Sequence, residues 1–212
     1  MEKQRQTKVL SILALVAGVL GLTLGFAAFS NTLIISSSAN VKPDSSSFSV
    51  VFSSSGSTLA QAAITAVGNP STVTGADATI SGTKITGLKA NFTEPGQTIT
   101  YSFYAHNAGS YLAYLRSVDF GTAQTCVKTA STTTDSLVTA ACDDISVKVS
   151  VNGTEYTANN DTISGHSLAT TGFEPVVVTI TYAANGDRAD GEFNVTFGDI
   201  TLEYSSVDYT AA

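Results

Sequence analysis

The chain has 212 residues, with 10 basic and 17 acidic side chains for a net charge of −7, 43% hydrophobic residues, two cysteines and no tryptophan. This acidic balance disfavours nucleic acid and anionic lipid as partners and suits solubility in an extracellular medium. Abundant serine, threonine and glycine with only 13% charged residues fit a β-rich exported protein better than a helical enzyme, and the length suffices for one domain with a sizeable core.

The chain opens with a basic leader, Lys3, Arg5 and Lys8, followed by an uncharged apolar run over residues 9–29. Positive charge stays on the cytoplasmic side while the apolar run enters the bilayer, so the remainder is threaded outward. Two readings of the run stay open. Gly25 and Ala27 supply the small residues that a signal peptidase requires, with cleavage before Ala28. The run is also longer than an ordinary signal core of roughly 7–15 residues and approaches the ~20 that span a bilayer, so an uncleaved anchor is the alternative. The expected division is a leader over 1–27, an N-terminal strand over 28–45 and a β-sandwich domain over 46–212. Cleavage leaves 7 basic and 16 acidic groups, a net charge of −9. The C-terminal residues 207–212 carry no hydrophobic tail, so a cleaved product is expected to stay at the cell only by binding or polymerising.

Beyond the leader, Phe29, Leu33, Ile35, Ala39 and Val41 share one face of a strand. Such an apolar strand at a freed N-terminus needs a groove. It pairs within its own sandwich, which chain connection makes cheap, or it completes the sheet of a neighbour by donor-strand complementation. Exchange between identical subunits is head-to-tail and builds an open filament unless the rotation closes.

Period-two alternation then recurs. Phe48, Val50 and Phe52 form one face, and Ile99, Tyr101, Phe103 and Ala105 another, followed after Asn107-Ala108-Gly109 by Leu112, Tyr114, Val118 and Phe120. The Ala-rich stretch over residues 59–67, behind Ser57 or Thr58 as a cap and closed by Gly68-Asn69-Pro70, predicts a short surface helix. Ile145, Val147, Val149 and Val151 lead into a tight hairpin at Asn152-Gly153. Val176, Val178, Ile180 and Tyr182 lead to a turn at Asn185-Gly186-Asp187, and the chain returns through Phe193, Val195, Phe197, Ile200, Leu202 and Tyr204. The apolar parity changes between Phe197 and Ile200, which predicts a bend or bulge at Gly198-Asp199 that carries the strand between sheets. Many strands and no long helical pattern predict an all-β fold, an antiparallel jelly-roll-type β-sandwich preceded by the hydrophobic leader helix.

Cys126 and Cys142 are expected to bridge in an oxidising compartment, two buried free thiols being the alternative. Catalytic patterns are absent. His106 and His166 stand apart with no His-Glu-x-x-His helix, and there is no Gly-x-Ser-x-Gly elbow. The acidic clusters at Asp143-Asp144, Asp161 and residues 187–192 lack EF-hand spacing and read as solvated turns. No enzyme activity, cofactor or metal is expected.

Three segments carry a family resemblance: Gly25-Phe26-Ala27-Ala28-Phe29-Ser30-Asn31, residues 88–103 from Leu88 through Pro95-Gly96 to Phe103 with Asn107-Ala108-Gly109 after it, and residues 190–197. Together they resemble the TasA/camelysin family of exported bacterial proteins. The resemblance implies a jelly-roll subunit of a biofilm-matrix fibre, cut by a dedicated signal peptidase so that Ala28 is the mature start and residues 29–41 enter the next subunit. The Pro95-Gly96 and Asn107 turns would be structural landmarks. Implied partners are other copies of the chain, the signal peptidase during export and other matrix proteins. A monomeric or membrane-anchored surface adhesin is the alternative function.

Overall fold

The computed structural model describes the backbone of residues 30–35 and residues 47–208 in full. The leader with Gly25, Ala27 and Ala28, and the strand positions Phe29, Ala39 and Val41, lie outside the described residues. No described helix is long and apolar enough to cross a membrane.

The described residues form sixteen strands and one helix. They are β1 (Ser30–Ile35), β2 (Val50–Ser53), β3 (Val67–Asn69), β4 (Thr74–Ala76), β5 (Thr79–Ser81), β6 (Lys84–Thr86), β7 (Lys89–Phe92), β8 (Thr98–Asn107), β9 (Ala113–Asp119) and β10 (Thr125–Lys128). After α1 (Asp135–Asp143) come β11 (Ile145–Val151), β12 (Thr154–Tyr156), β13 (Ser167–Leu168), β14 (Phe173–Tyr182), β15 (Phe193–Thr196) and β16 (Ile200–Ser205). One sheet has the order β12-β11-β14-β8-β2, with β3 also on β8; a second runs β13-β9-β16-β1-β6-β5; a third runs β10-β15-β7-β4. The fold is all-β and sandwich-like, antiparallel except where β1 meets β6.

The alternating faces supply the core. Phe48, Val50, Phe52, Ile99, Tyr101, Phe103, Ala105, Val176, Val178, Ile180 and Tyr182 are all buried, and they join the buried residues of the other sheets in one cluster. Tyr182 of the first sheet packs on Phe92 and Phe193 of the third at ring-centroid distances of 5.9 and 5.8 Å. The Tyr101 hydroxyl donates toward the carbonyls of Ala76 and Lys89 (2.9 and 2.8 Å), tying the first sheet to strands of the third. At the predicted hairpin, Asn152 and Gly153 both have positive φ, 48° and 85°, the conformation that a two-residue type I′ turn needs.

The second and third sheets are halves of one pleated layer. β4 continues into β5, β6 into β7, β9 into β10 and β15 into β16. The last of these crosses at Gly198-Asp199, where the change of parity predicts it. A Cβ at Gly198 would lie 2.5 Å from both the backbone nitrogen and oxygen of Thr122, and one at Gly121 would lie 2.5 Å from the Asp199 carbonyl. Two bends thus pack backbone to backbone at a common waist, which only residues without a side chain permit.

Two expectations are corrected. Residues 59–66 are not helical: the Ala60 and Ala62 amides donate to the hydroxyls of Ser53 and Ser54 (both 3.1 Å), and Ile64 makes an isolated bridge to Ala78. The Ala60 carbonyl and the Ile64 amide, which would bond each other in a helix, instead pair with Ser54 N–H (2.9 Å) and the Ala78 carbonyl (2.8 Å). The helix is α1 instead, with Asp135 in its first turn and Val138 and Ala141 buried three residues apart. In β9 the buried positions are Ala113, Leu115 and Val118 rather than the phase of Leu112 and Tyr114, because the register shifts between Glu203 and Tyr204 opposite and leaves Arg116 as an extra residue. The predicted turn at Asn185 carries the chain from the first sheet to the third.

Cys126 on β10 and Cys142 on α1 form a disulfide across a separation of 16 residues, with Cα atoms 6.0 Å apart. The bridge fastens the helix to the edge of the third sheet. Replacing both cysteines with serine is expected to cost about 3 kcal/mol through the freed loop, read from the urea unfolding midpoint; an unchanged midpoint would show the loop to be held by packing alone.

Candidate functional site

The described part of the N-terminal strand lies inside its own sheet. β1 pairs antiparallel with β16 along its whole length, Ser30 opposite Ser205, Leu33 opposite Leu202 and Ile35 opposite Ile200. On the other side it meets β6 in parallel over Ile34 and Ile35. Leu202, Ile200 and Ile85, the partners on either side, are buried.

Continuity through the waist shows why this position is special. In the third sheet β15 and β7 are directly paired, Phe193 with Phe92, Asn194 with Asn91 and Val195 with Ala90. Their continuations in the second sheet, β16 and β6, are separated by β1. With strands about 4.8 Å apart, the layer opens from one spacing to two as it passes the waist. The result is a fork: closed below Ile35, open above it, and filled by a strand that no hairpin connects to either neighbour. Where β6 ends, only β16 continues to hold β1 in the described sheet.

Beside the open end of this slot a polar bridge joins the two layers. Glu174 of β14 is buried, 3% exposed; its Oε1 accepts the hydroxyl of Tyr204 on β16, and its Oε2 lies 2.6 Å from Nε2 of His166. Tyr204 is also the residue opposite Asn31 of β1. Burial, then the charge of Glu174, holds the Tyr204 phenol well above its ordinary pKa, and the same two causes raise Tyr156. Burial likewise raises Tyr101 and Tyr182, against the lowering effect of a backbone hydrogen bond at each. A phenol whose folded pKa is raised adds stability that is complete below pH 10 and is lost as pH climbs above it. Stability is therefore expected to fall as pH rises above 10, with Tyr204 contributing most. Urea midpoints at pH 9 and pH 11 check this, and equal values would refute it.

Both histidines have partners within the fold. His106 donates through Nδ1 to the Gly172 carbonyl at 3.0 Å and stacks on Phe173 at 4.0 Å between ring centres; His166 belongs to the bridge. Asn107 is fully buried, its Nδ2 donating to the carbonyls of Tyr111 and Leu168 (2.8 and 3.1 Å) and its Oδ1 accepting Gly109 N–H (3.0 Å). It holds the crossover from β8 to β9 in shape. Among the described residues no group of three or more His, Cys, Asp or Glu is placed to hold a metal ion. Asp143 and Asp144 stand at the end of α1, where Asp144 accepts Asp187 N–H at 2.6 Å. Asp190 accepts the amide and hydroxyl of Thr134 (2.9 and 2.6 Å), which lowers its carboxyl pKa and anchors the start of α1.

Of the assembly-strand residues, Leu33 and Ile35 fall in β1. The sequence reading passed over Glu174, although its phase is visible: it shares parity with Val176, Val178 and Ile180, so a carboxylate sits on the core face of a strand. No family model, curated protein or solved structure matches the chain.

Proposed function

We propose that this chain is an exported structural subunit that assembles head to tail, as a homopolymer, into an extracellular or biofilm-matrix fibre by donating its N-terminal strand. The reading is the one implied by the resemblance to the TasA/camelysin family. Under it the strand order is of jelly-roll type, the leader is cut before Ala28 by a signal peptidase, and the protein has no catalytic role. The observation that carries it is the fork. A slot bounded by β16 and β6 is filled by a terminal strand, and an identical strand from a second copy offers the same backbone groups. Residues 29–41 are then the donor.

A monomeric surface adhesin is the second reading, favoured by the pairing of β1 within its own chain. The two differ in what the strand does at high concentration. Residues 28–212 and a version lacking residues 28–41 are to be compared by electron microscopy and sedimentation over a range of pH and concentration. Filaments from the first and none from the second are expected. Monomers from both would overturn self-assembly and leave the adhesin.

A further inference from the structure

Resting on the assembly reading, we infer that the exposed Tyr111–Leu112 tip of each subunit seats in the groove at the waist of the subunit that receives its strand. This is a second head-to-tail contact, separate from the donated ladder. Its occupant is another copy of the chain.

The polarity of β1 sets the geometry. Within the slot, Ser30 lies opposite Ser205 and Ile35 opposite Ile200, so the strand runs from the end holding the β8–β9 crossover down to the waist. Ile200 also lines an open groove of about 570 Å³, with Phe120, Ile145, Val147 and Phe197 among its other walls. Phe120, Val147 and Phe197 are only partly buried and rest on the core, so the groove offers an apolar floor that the subunit does not cover itself. A donated strand therefore leaves its acceptor one strand spacing, about 5 Å, from a residue of this groove.

The donor's chain rejoins its own fold at the opposite end. The Ser47 carbonyl accepts Ser110 N–H at 2.9 Å, and the next two residues, Tyr111 and Leu112, are 53% and 40% exposed. These are large apolar side chains at the point of a crossover that Asn107 holds rigid by three hydrogen bonds. A preorganised tip loses little freedom on docking. Val207, 42% exposed, stands at the same end, two residues beyond the Ser205 partner of Tyr114.

Between Ile35 and Ser47 lie residues 36–46, and the twelve steps joining those two ends reach at most about 40 Å. In a donated arrangement this linker starts beside the acceptor's groove and ends beside the donor's tip. Tethering keeps the two surfaces within that distance, so the tip meets the groove as an intramolecular event rather than by free encounter. The apolar surface nearest the linker's end is thus brought to the apolar groove nearest its start.

Cysteine cross-linking in the full chain, expressed with its own leader and native disulfide, tests this. Ala123 is exposed and lines the groove, so Tyr111→Cys combined with Ala123→Cys is expected to give a ladder of covalent multimers on mild oxidation, with the 111–123 link identified by peptide mass. Each single variant should give no ladder. Independently, Tyr111→Ser with Leu112→Ser should raise the concentration needed for assembly about tenfold while leaving the unfolding midpoint of the monomer in place. Filaments with no ladder, and with assembly unmoved by the serine variant, would overturn the tip-and-groove contact while the strand-donation reading stands. A 111–123 link found only within monomers would place each tip in its own groove and also overturn it. Absence of filaments from the unmodified chain would overturn both.

Discussion

Replacing Glu174 with alanine is expected to destabilise the protein by about 3–5 kcal/mol, the largest loss for any single residue of the polar bridge. The carboxylate is the shared acceptor of the Tyr204 hydroxyl and the partner of His166 Nε2 at 2.6 Å, and the two side chains of the Glu174–His166 pair are 4% and 12% exposed. Removing it leaves a buried phenol O–H and a part-buried ring nitrogen without this partner, the first at a cost of about 1–3 kcal/mol, and adds a cavity. Glu174→Gln keeps the volume and an acceptor for Tyr204, so it should lose less, about 1–2 kcal/mol. Tyr204→Phe removes one contact from the other side, and a double-mutant cycle with Glu174→Gln should show coupling, since the two share one hydrogen bond. Urea unfolding of the purified protein reads all four. A Glu174→Ala variant within about 0.5 kcal/mol of the parent, the usual range of an inert surface change, would show that water replaces the bridge freely.

The bridge also illustrates what the sequence makes legible. Core faces could be read because strands alternate strictly: Val176, Val178, Ile180 and Tyr182 are all buried, as the pattern requires. The crossing at Gly198-Asp199 could be read because a parity change has few physical causes. Glu174 was missed because a polar residue at the end of an apolar alternation is ordinarily taken as the strand's exposed start, and its partners come from 8 and 30 residues away. The shift of face in β9 was invisible for a related reason. It arises from the register against β16, which no local pattern encodes. The false helix over residues 59–67 and the true one over Asp135–Asp143 show competition at short range. Two serines upstream of the first stretch take its amides, and the second is fixed from outside by the disulfide to β10 and by Asp190. Helix propensity alone could not rank them.

The fork itself had a partial signal. Leu33 and Ile35 mark an apolar N-terminal strand, but its slot depends on β15 pairing with β7 while β16 and β6 do not pair, a relation among four segments spread over more than a hundred residues. Such a relation belongs to topology rather than to any stretch of sequence.

Deleting residues 28–41 tests the slot as a structural element, apart from any fibre. The ladder of β1 on β16 has six register pairs, which form about six backbone bonds. At about 1 kcal/mol net for each, loss of the strand should cost on the order of 6 kcal/mol, a large share of the roughly 5–15 kcal/mol that keeps a domain folded. The deletion also uncovers the inner edge of β16, beside Leu202 and Ile200, and an unpaired edge of this kind invites pairing with other chains. The truncated protein should therefore unfold at much lower urea concentration and become prone to aggregation. A synthetic peptide of residues 28–41 supplied in excess should restore the midpoint, because a ligand that binds only the folded state stabilises it in proportion to the logarithm of its concentration. A peptide with Leu33→Asp and Ile35→Asp should fail to rescue, since their register partners Leu202 and Ile200 are buried. Restoration by the native peptide would establish that the slot accepts its strand in trans, the physical requirement for donation between subunits. If the deletion left stability unchanged, β1 would be a passenger on a sandwich complete without it.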